Sequence, residues 1–264
     1  MPHRRVEIFF ANNTDDADVL RELVKEMGGA AFCRIFTFPK DRNGLWGSTL
    51  LHRAACSTST LHLQVLLEQD GAPINFKDPY GFTPLHRLCG SVSLDIPKPD
   101  TPEIRAVLTA CLKLLAGAGA DIDAISGKDV GHTPLQYALD QINCGVTCYE
   151  DLLNELVALG ADCNSKDPSG NSALILAARA GQIQLIPLLL DEKGLDINHQ
   201  NKVLETALFQ ATPEVMSLLL RRGADMAITS CYGERAIESF YGLRIGEDGY
   251  QQRLVVWEEE VQRR

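Results

Sequence analysis

No apolar run in this 264-residue sequence approaches the roughly 18 residues that a membrane helix requires. The opening stretch MPHRRVEIFFANNTDD carries two arginines but no long apolar core and no small-residue cleavage site, so it does not read as a secretory signal. The expectation is an intracellular protein, cytoplasmic or nuclear, without a membrane partner. Positive charge is short as well. Lysine and arginine number 25 against 35 aspartates and glutamates, a formal net charge of −10. Such a balance speaks against general binding to phosphate backbones, so no nucleic-acid partner is expected.

The strong signatures of enzymes are missing: there is no GxxxxGK[ST] phosphate loop, no GxSxG elbow, no HExxH and no paired CxxC. The eight cysteines (33, 56, 89, 111, 144, 148, 163 and 231) are scattered through apolar segments rather than spaced as a framework. That usage reads as buried thiols in a reducing compartment. Cys144 and Cys148 could share a metal only from one helix face. Gly145 and Val146-Thr147 argue against a helix there, and no histidine lies nearby. No metal and no cofactor are expected.

One phrase returns along the chain. It reads Gly81-Phe82-Thr83-Pro84-Leu85-His86, then Gly131-His132-Thr133-Pro134-Leu135-Gln136. Weaker copies begin at Gly47, Gly170, Leu204 and Gly233. Its chemistry is that of a helix start. Glycine permits the turn, Thr or Ser supplies an N-cap oxygen, and Pro fits the first helical position, where its missing N–H costs nothing. A second phrase alternates with it, a leucine-rich stretch ending in a glycine, as in LVALGADCN and LLLRRGADMA. Gly71, Gly119, Gly160, Gly194 and Gly223 stand where a helix would end in a left-handed residue. Each unit is therefore turn, helix, turn, helix, with helices too short to be stable alone.

These phrases, at a period near 33 residues, resemble the ankyrin-repeat family over roughly residues 40–245; Thr83-Pro84-Leu85-His86, Ala177-Ala178 and Gly160-Ala161-Asp162 carry the likeness. The resemblance implies an all-α solenoid of stacked helix-turn-helix units with projecting hairpin-like fingers, about six repeats between two caps. It implies that His52 and His86, fourth in the phrase after its cap residue is counted, hydrogen-bond between neighbouring turns. As one domain over 1–264, the chain divides into a degenerate unit at 1–40, repeats at 41–78, 79–129, 130–167, 168–201 and 202–230, and a capping unit at 231–264.

The phrase anchors at 47, 81, 131, 170, 204 and 233 leave intervals of 34, 50, 39, 34 and 29 residues. The surplus of the second unit falls in 89–103, where Pro97, Pro99 and Pro102 predict an extended loop. The surplus of the third falls around 143–148. The last interval is short by about one helical turn between Ala207 and Leu220. At the ends, DADVLRELVKEM predicts a helix with Val19, Leu20, Leu23 and Val24 apolar. YQQRLVVWEEEVQRR predicts a capping helix with a stripe of Leu254, Val255, Trp257 and Val261.

The function that the resemblance implies is a non-catalytic adaptor or scaffold that binds a protein or peptide segment along a concave face and is monomeric alone. Carried over position by position, its contact residues are Trp46 and Ser48, Tyr80 and Phe82, and His132. In the later units they are Ser169, Asn171 and Arg179, then Lys202 and Glu205, then Tyr232 and Glu234. Aromatics concentrate in the N-terminal half of that row and suit a binding hot spot. The alternative is an enzyme or small-molecule binder in the same groove. Asp129, His132 and Glu205 would then be its acid–base groups, and the 89–103 insertion its lid.

Overall fold

A computed structural model describes residues 16–27, 47–91, 101–127, 131–142, 149–191, 195–238 and 247–263. Between the end helices the helices come in pairs, and the first of each pair begins where Thr or Ser precedes a short apolar run. They are α1 (Ala17–Met27), α2 (Leu50–Cys56), α3 (Thr60–Leu67), α4 (Pro84–Cys89), α5 (Pro102–Gly117), α6 (Pro134–Ile142) and α7 (Glu150–Ala158). After these follow α8 (Ala173–Arg179), α9 (Leu185–Asp191), α10 (Ala207–Gln210), α11 (Pro213–Arg221) and α12 (Glu247–Arg263). Among the described residues there is no strand, only the isolated antiparallel bridges Lys166 to Ser172 and Thr229 to Arg235. The fold is the expected all-α repeat fold.

The recurring phrase starts the first helix of each pair. Thr49, Thr83, Thr133, Ser172 and Thr206 are buried immediately before α2, α4, α6, α8 and α10. Pro84 and Pro134 occupy the first helical position. The second helices use the same device where the sequence allows it. Ser59, Thr101 and Thr212 accept from the backbone N–H three residues on. Pro102 therefore opens α5 rather than excluding a helix, because a first-turn proline loses no hydrogen bond. The remainder of the 89–103 insertion and the 143–148 insertion fall largely or wholly outside the described residues, as do Cys144 and Cys148. Gly119, Gly160 and Gly223 end their helices in the left-handed region, as expected, whereas Gly71 is left-handed but lies beyond the Glu68 cap of α3, and Gly194 lies outside the described residues.

The chain forms two compact units, one of Met1–Ala138 with Val146–Leu159 and the other of Leu139–Gly145 with Gly160–Arg264. In the first, α2 packs on α3 and α4, α3 on α5, and α5 on α7, while α1 covers α3. Leu63, Leu85, Leu88, Leu112 and Leu152 are at most 1% exposed there, each worth about 1.5–3 kcal/mol of burial. In the second, α8 packs on α9 and α10, and α11 on α12. The one-turn deficit falls on α10, a helix of four residues. Cys56, Cys89, Cys111 and Cys163 are buried thiols, whereas Cys231 is exposed.

The end helices qualify the stripes expected of them. In α1, Leu20, Leu23 and Val24 are buried but Val19 is exposed. In α12 the buried residues are Arg253, Trp257 and Glu260, whereas Val255 and Val261 are exposed. The apolar stripe expected at 254, 255 and 261 is thus displaced around the helix. Arg253 draws it round: one guanidinium nitrogen donates to the carbonyls of Leu208 and Ala236, at 3.0 and 2.8 Å.

Candidate functional site

A finger precedes each of α4, α6, α8 and α10, another lies at 230–233, and the geometry of each follows from one polar residue. In the first unit Asp78 Oδ1 accepts the N–H groups of Tyr80 and Phe82. In the second unit Asp167 Oδ1 does the same for Ser169 and Asn171, and Asn201 Oδ1 for Val203 and Glu205. Ser126 and Ser230 hold His132 and Tyr232 through their hydroxyls. Sequence reasoning passed over these five residues. The signal was present, since Asp78, Asp167, Asn201 and Ser230 each stand three places before the residue at the finger turn, where a short acceptor side chain favours a turn.

Within the first unit the fingers are joined by the two phrase histidines. Nδ1 of His52 accepts the Thr49 backbone N–H at 3.2 Å, and Nδ1 of His86 accepts that of Thr83 at 3.3 Å. An acceptor Nδ1 places the proton on Nε2, which donates to the next finger's carbonyl: His52 to Phe82 at 2.9 Å, His86 to His132 at 3.0 Å. Burial pushes both imidazoles down from 6.5 to about 4, and the carbonyl bonds oppose this only in part. Both rings are neutral structural pins, as the resemblance implied.

The first-unit aromatics divide into packing and surface. Phe82 is 8% exposed, with the Tyr137 ring tilted against it at 4.8 Å between centroids and the Arg87 guanidinium 4.9 Å from its ring. Arg87 is itself buried and ion-paired with Asp78, so guanidinium, carboxylate and ring form one closed cluster. The Tyr80 ring also lies near the Arg87 guanidinium, 5.7 Å away, and is 55% exposed. Gly81 and Gly127 let the backbones of two neighbouring fingers approach closely. A Cβ at Gly81 would lie 2.3 Å from the Gly127 backbone, and one at Gly127 would lie 2.3 Å from the Tyr80 carbonyl.

The second-unit fingers are joined through the backbone. Lys202 N–H donates to Ser169 C=O at 3.0 Å, and Cys231 N–H to Val203 C=O at 2.9 Å. Side chains add to the join: Asn201 donates to Asn171 at 2.9 Å, and His199 Nε2 bonds Gly170 C=O at 2.8 Å.

Of the sequence-assigned contact residues, Ser48, Phe82, Asn171 and Glu205 are buried. Tyr80, Ser169, Lys202 and Tyr232 are exposed, and His132, Arg179 and Glu234 are half-buried. Trp46 lies outside the described residues, as does Asp129 of the acid–base set. His132 belongs to the first unit, and Glu205 to the second. The Glu205 carboxylate accepts from Gln210 Nε2 at 2.6 Å, and Arg179 pairs with Asp140 at 3.0 Å. Among the described residues, no group of three or more His, Cys, Asp or Glu side chains could hold a metal, and no helix is long and apolar enough to cross a membrane.

Comparison with known proteins bears on this arrangement directly. The family profile described as ankyrin repeats, in three copies, matches residues 144–230. The chain is an ankyrin-repeat protein. The ankyrin repeat protein OPG189 of Variola virus is 29% identical over 201 residues, which cover 73% of this chain and 32% of that protein. The B-cell lymphoma 3 protein homolog of Mus musculus is 28% identical over 208 residues, covering 70% of this chain and 44% of its own length. The chain thus spans about a third to under a half of these relatives. Among solved structures, the ankyrin repeat protein EF0377 aligns with a TM-score of 0.61 at 24% identity, covering 80% of this chain and 96% of that one. A chain from the predatory endopeptidase Bd0816 of Bdellovibrio bacteriovorus in complex with immunity protein Bd3460 aligns at 0.59 and 20% identity, covering 82% and 99%. At these identities the structures show the ankyrin fold. Ankyrin repeats generally mediate protein–protein interaction.

Proposed function

We propose that this ankyrin-repeat chain is a non-catalytic interaction module, an adaptor or scaffold, that takes a protein partner on its fingers and first helices. The observation carrying the reading is that large side chains stand exposed on fingers whose backbones are already locked. Tyr80 is 55% exposed and Tyr232 74%, yet each sits on a turn held by Asp78 or Ser230. A rigid aromatic loses little freedom on binding, and a pre-ordered turn loses none, so such residues make efficient anchors. The exposed Ser169 and Lys202 and the half-buried His132, Arg179 and Glu234 complete the proposed contact row. The Bdellovibrio structure, an ankyrin-fold match from a complex with an immunity protein, is consistent with a folded protein as partner. An intracellular site of action is part of the proposal.

A photo-cross-linking amino acid placed at 80, at 232 and at Leu188 on α9 tests it. Defined partner peptides cross-linked from 80 or 232, but not from 188, are the expected result. Equal labelling from all three positions would sink the assigned face.

A further inference from the structure

One finger of the second unit breaks the family pattern and stays exposed in doing so. The turn position is glycine in its neighbours, Gly170 at φ 81° and Gly233 at φ 77°. Leu204 occupies it at φ 61°, a conformation that a branched side chain adopts at a cost. Burial does not compensate, since Leu204 is 46% exposed and Val203 beside it 40%. The surroundings hold the strained turn in place. Leu204 N–H donates to Asn201 C=O at 2.9 Å, and Gln200 Nε2 donates to Leu204 C=O at 2.7 Å. A strained turn that its surroundings hold in place, carrying a solvent-facing apolar residue, is a candidate for a functional role.

The backbone specifies what that role is. The residue just before each turn position offers its carbonyl to the next finger: Ser169 to Lys202 N–H, then Val203 to Cys231 N–H. By the same register, the next acceptor is the carbonyl of Tyr232, just before Gly233. Among the described residues it accepts no hydrogen bond, and the Tyr232 residue is 74% exposed. An occupant that continues this ladder must bring a free backbone N–H, which an extended segment has and a helix interior has not. The donating residue cannot be proline. Side chains of an extended segment alternate between two sides, so one that donates here turns every second side chain toward one face of the finger row.

We propose that Val203, Leu204 and Tyr232 form an edge that receives an extended segment of a partner protein. The segment donates a backbone N–H to the Tyr232 carbonyl and lays an apolar side chain on Leu204 and Tyr232. This deepens the interaction reading above and rests on it.

The probe is a random peptide library displayed on phage and panned against the wild-type chain, with enriched sequences remade as synthetic peptides. L204G is the decisive variant, because glycine relaxes the turn while removing the side chain. It should melt higher than wild type yet bind the peptides about tenfold more weakly. Y232A should weaken them similarly, and N-methylation of a single internal amide should do so at one position only. Peptides that ignore L204G and Y232A but are lost in Y80A overturn this edge and leave the interaction module standing. Indifference to all three substitutions overturns both. No enriched peptide, or tolerance of N-methylation at every position, overturns the ladder. Self-association of the wild-type chain that L204G abolishes would assign the edge to a second copy and overturn the partner segment.

Discussion

At φ 61°, Leu204 forgoes roughly 1 kcal/mol that glycine would not, because its Cβ crowds the backbone in the left-handed region. Leu204→Gly should therefore raise the stability of the second unit by about that amount, less the entropy that glycine adds to the unfolded chain. Urea denaturation checks the sign: a less stable variant would mean that the leucine side chain is itself packed in solution. His52 and His86 make the opposite kind of prediction. Their pKa values fall from 6.5 unfolded to about 4 folded, so the unfolded chain binds more protons between those values. Their contribution is complete above pH 6.5 and is lost as pH falls toward 4, by about 3 kcal/mol for each ring across the window. The third repeat supplies the control substitution. Gln136 stands where the histidine would, and its Oε1 accepts Thr133 N–H at 3.0 Å. His86→Gln should fold at neutral pH and flatten the stability profile between pH 4 and 6.5. An unchanged slope would show that His86 does not carry it.

At the scale of elements, the first helices were legible because one residue type does one job. Thr or Ser caps, Pro fits the first turn, and Leu faces inward, all within six positions. Finger interiors were less legible. Sequence position marked Phe82, Asn171 and Glu205 as surface contacts, but their environment depends on the neighbouring finger, which spacing does not reveal. In the sequence Leu204 only opens a weaker copy of the phrase where others have glycine, since exposure and φ are properties of the folded turn. The capping helix α12 misled for a third reason. A buried arginine turns the helix away from its apolar stripe, and hydropathy counts arginine as a surface residue. Arg253→Met keeps the length and apolar stem but strips Leu208 and Ala236 of a donor. Each abandoned buried carbonyl costs about 1–3 kcal/mol, so the variant should lose several kcal/mol. Hydrogen exchange should rise first in α12 and the 207–210 segment. Protection unchanged in both would mean that Trp257 packing alone docks the helix.

For the whole molecule, the two units store their special chemistry separately. Both histidines with lowered pKa values, and the buried Asp78–Arg87 pair, belong to the first unit. The strained Leu204 turn and the Arg253 anchor belong to the second. In repeat proteins each unit contacts only its neighbours, so stability is approximately a sum of local terms and a local change stays local. Acidification toward pH 5 should then loosen the first unit before the second. Hydrogen exchange, corrected for the intrinsic pH dependence of amide exchange, should show protection falling in α2 and α4 while α8 and α11 keep theirs. Leu204→Gly should do the converse, raising protection in the fingers at 200–206 and 229–235 without changing α2 or α4. Protection that falls equally in all four helices at pH 5 would show that the array melts as one body, and that a proton taken up at His52 or His86 is felt along its whole length.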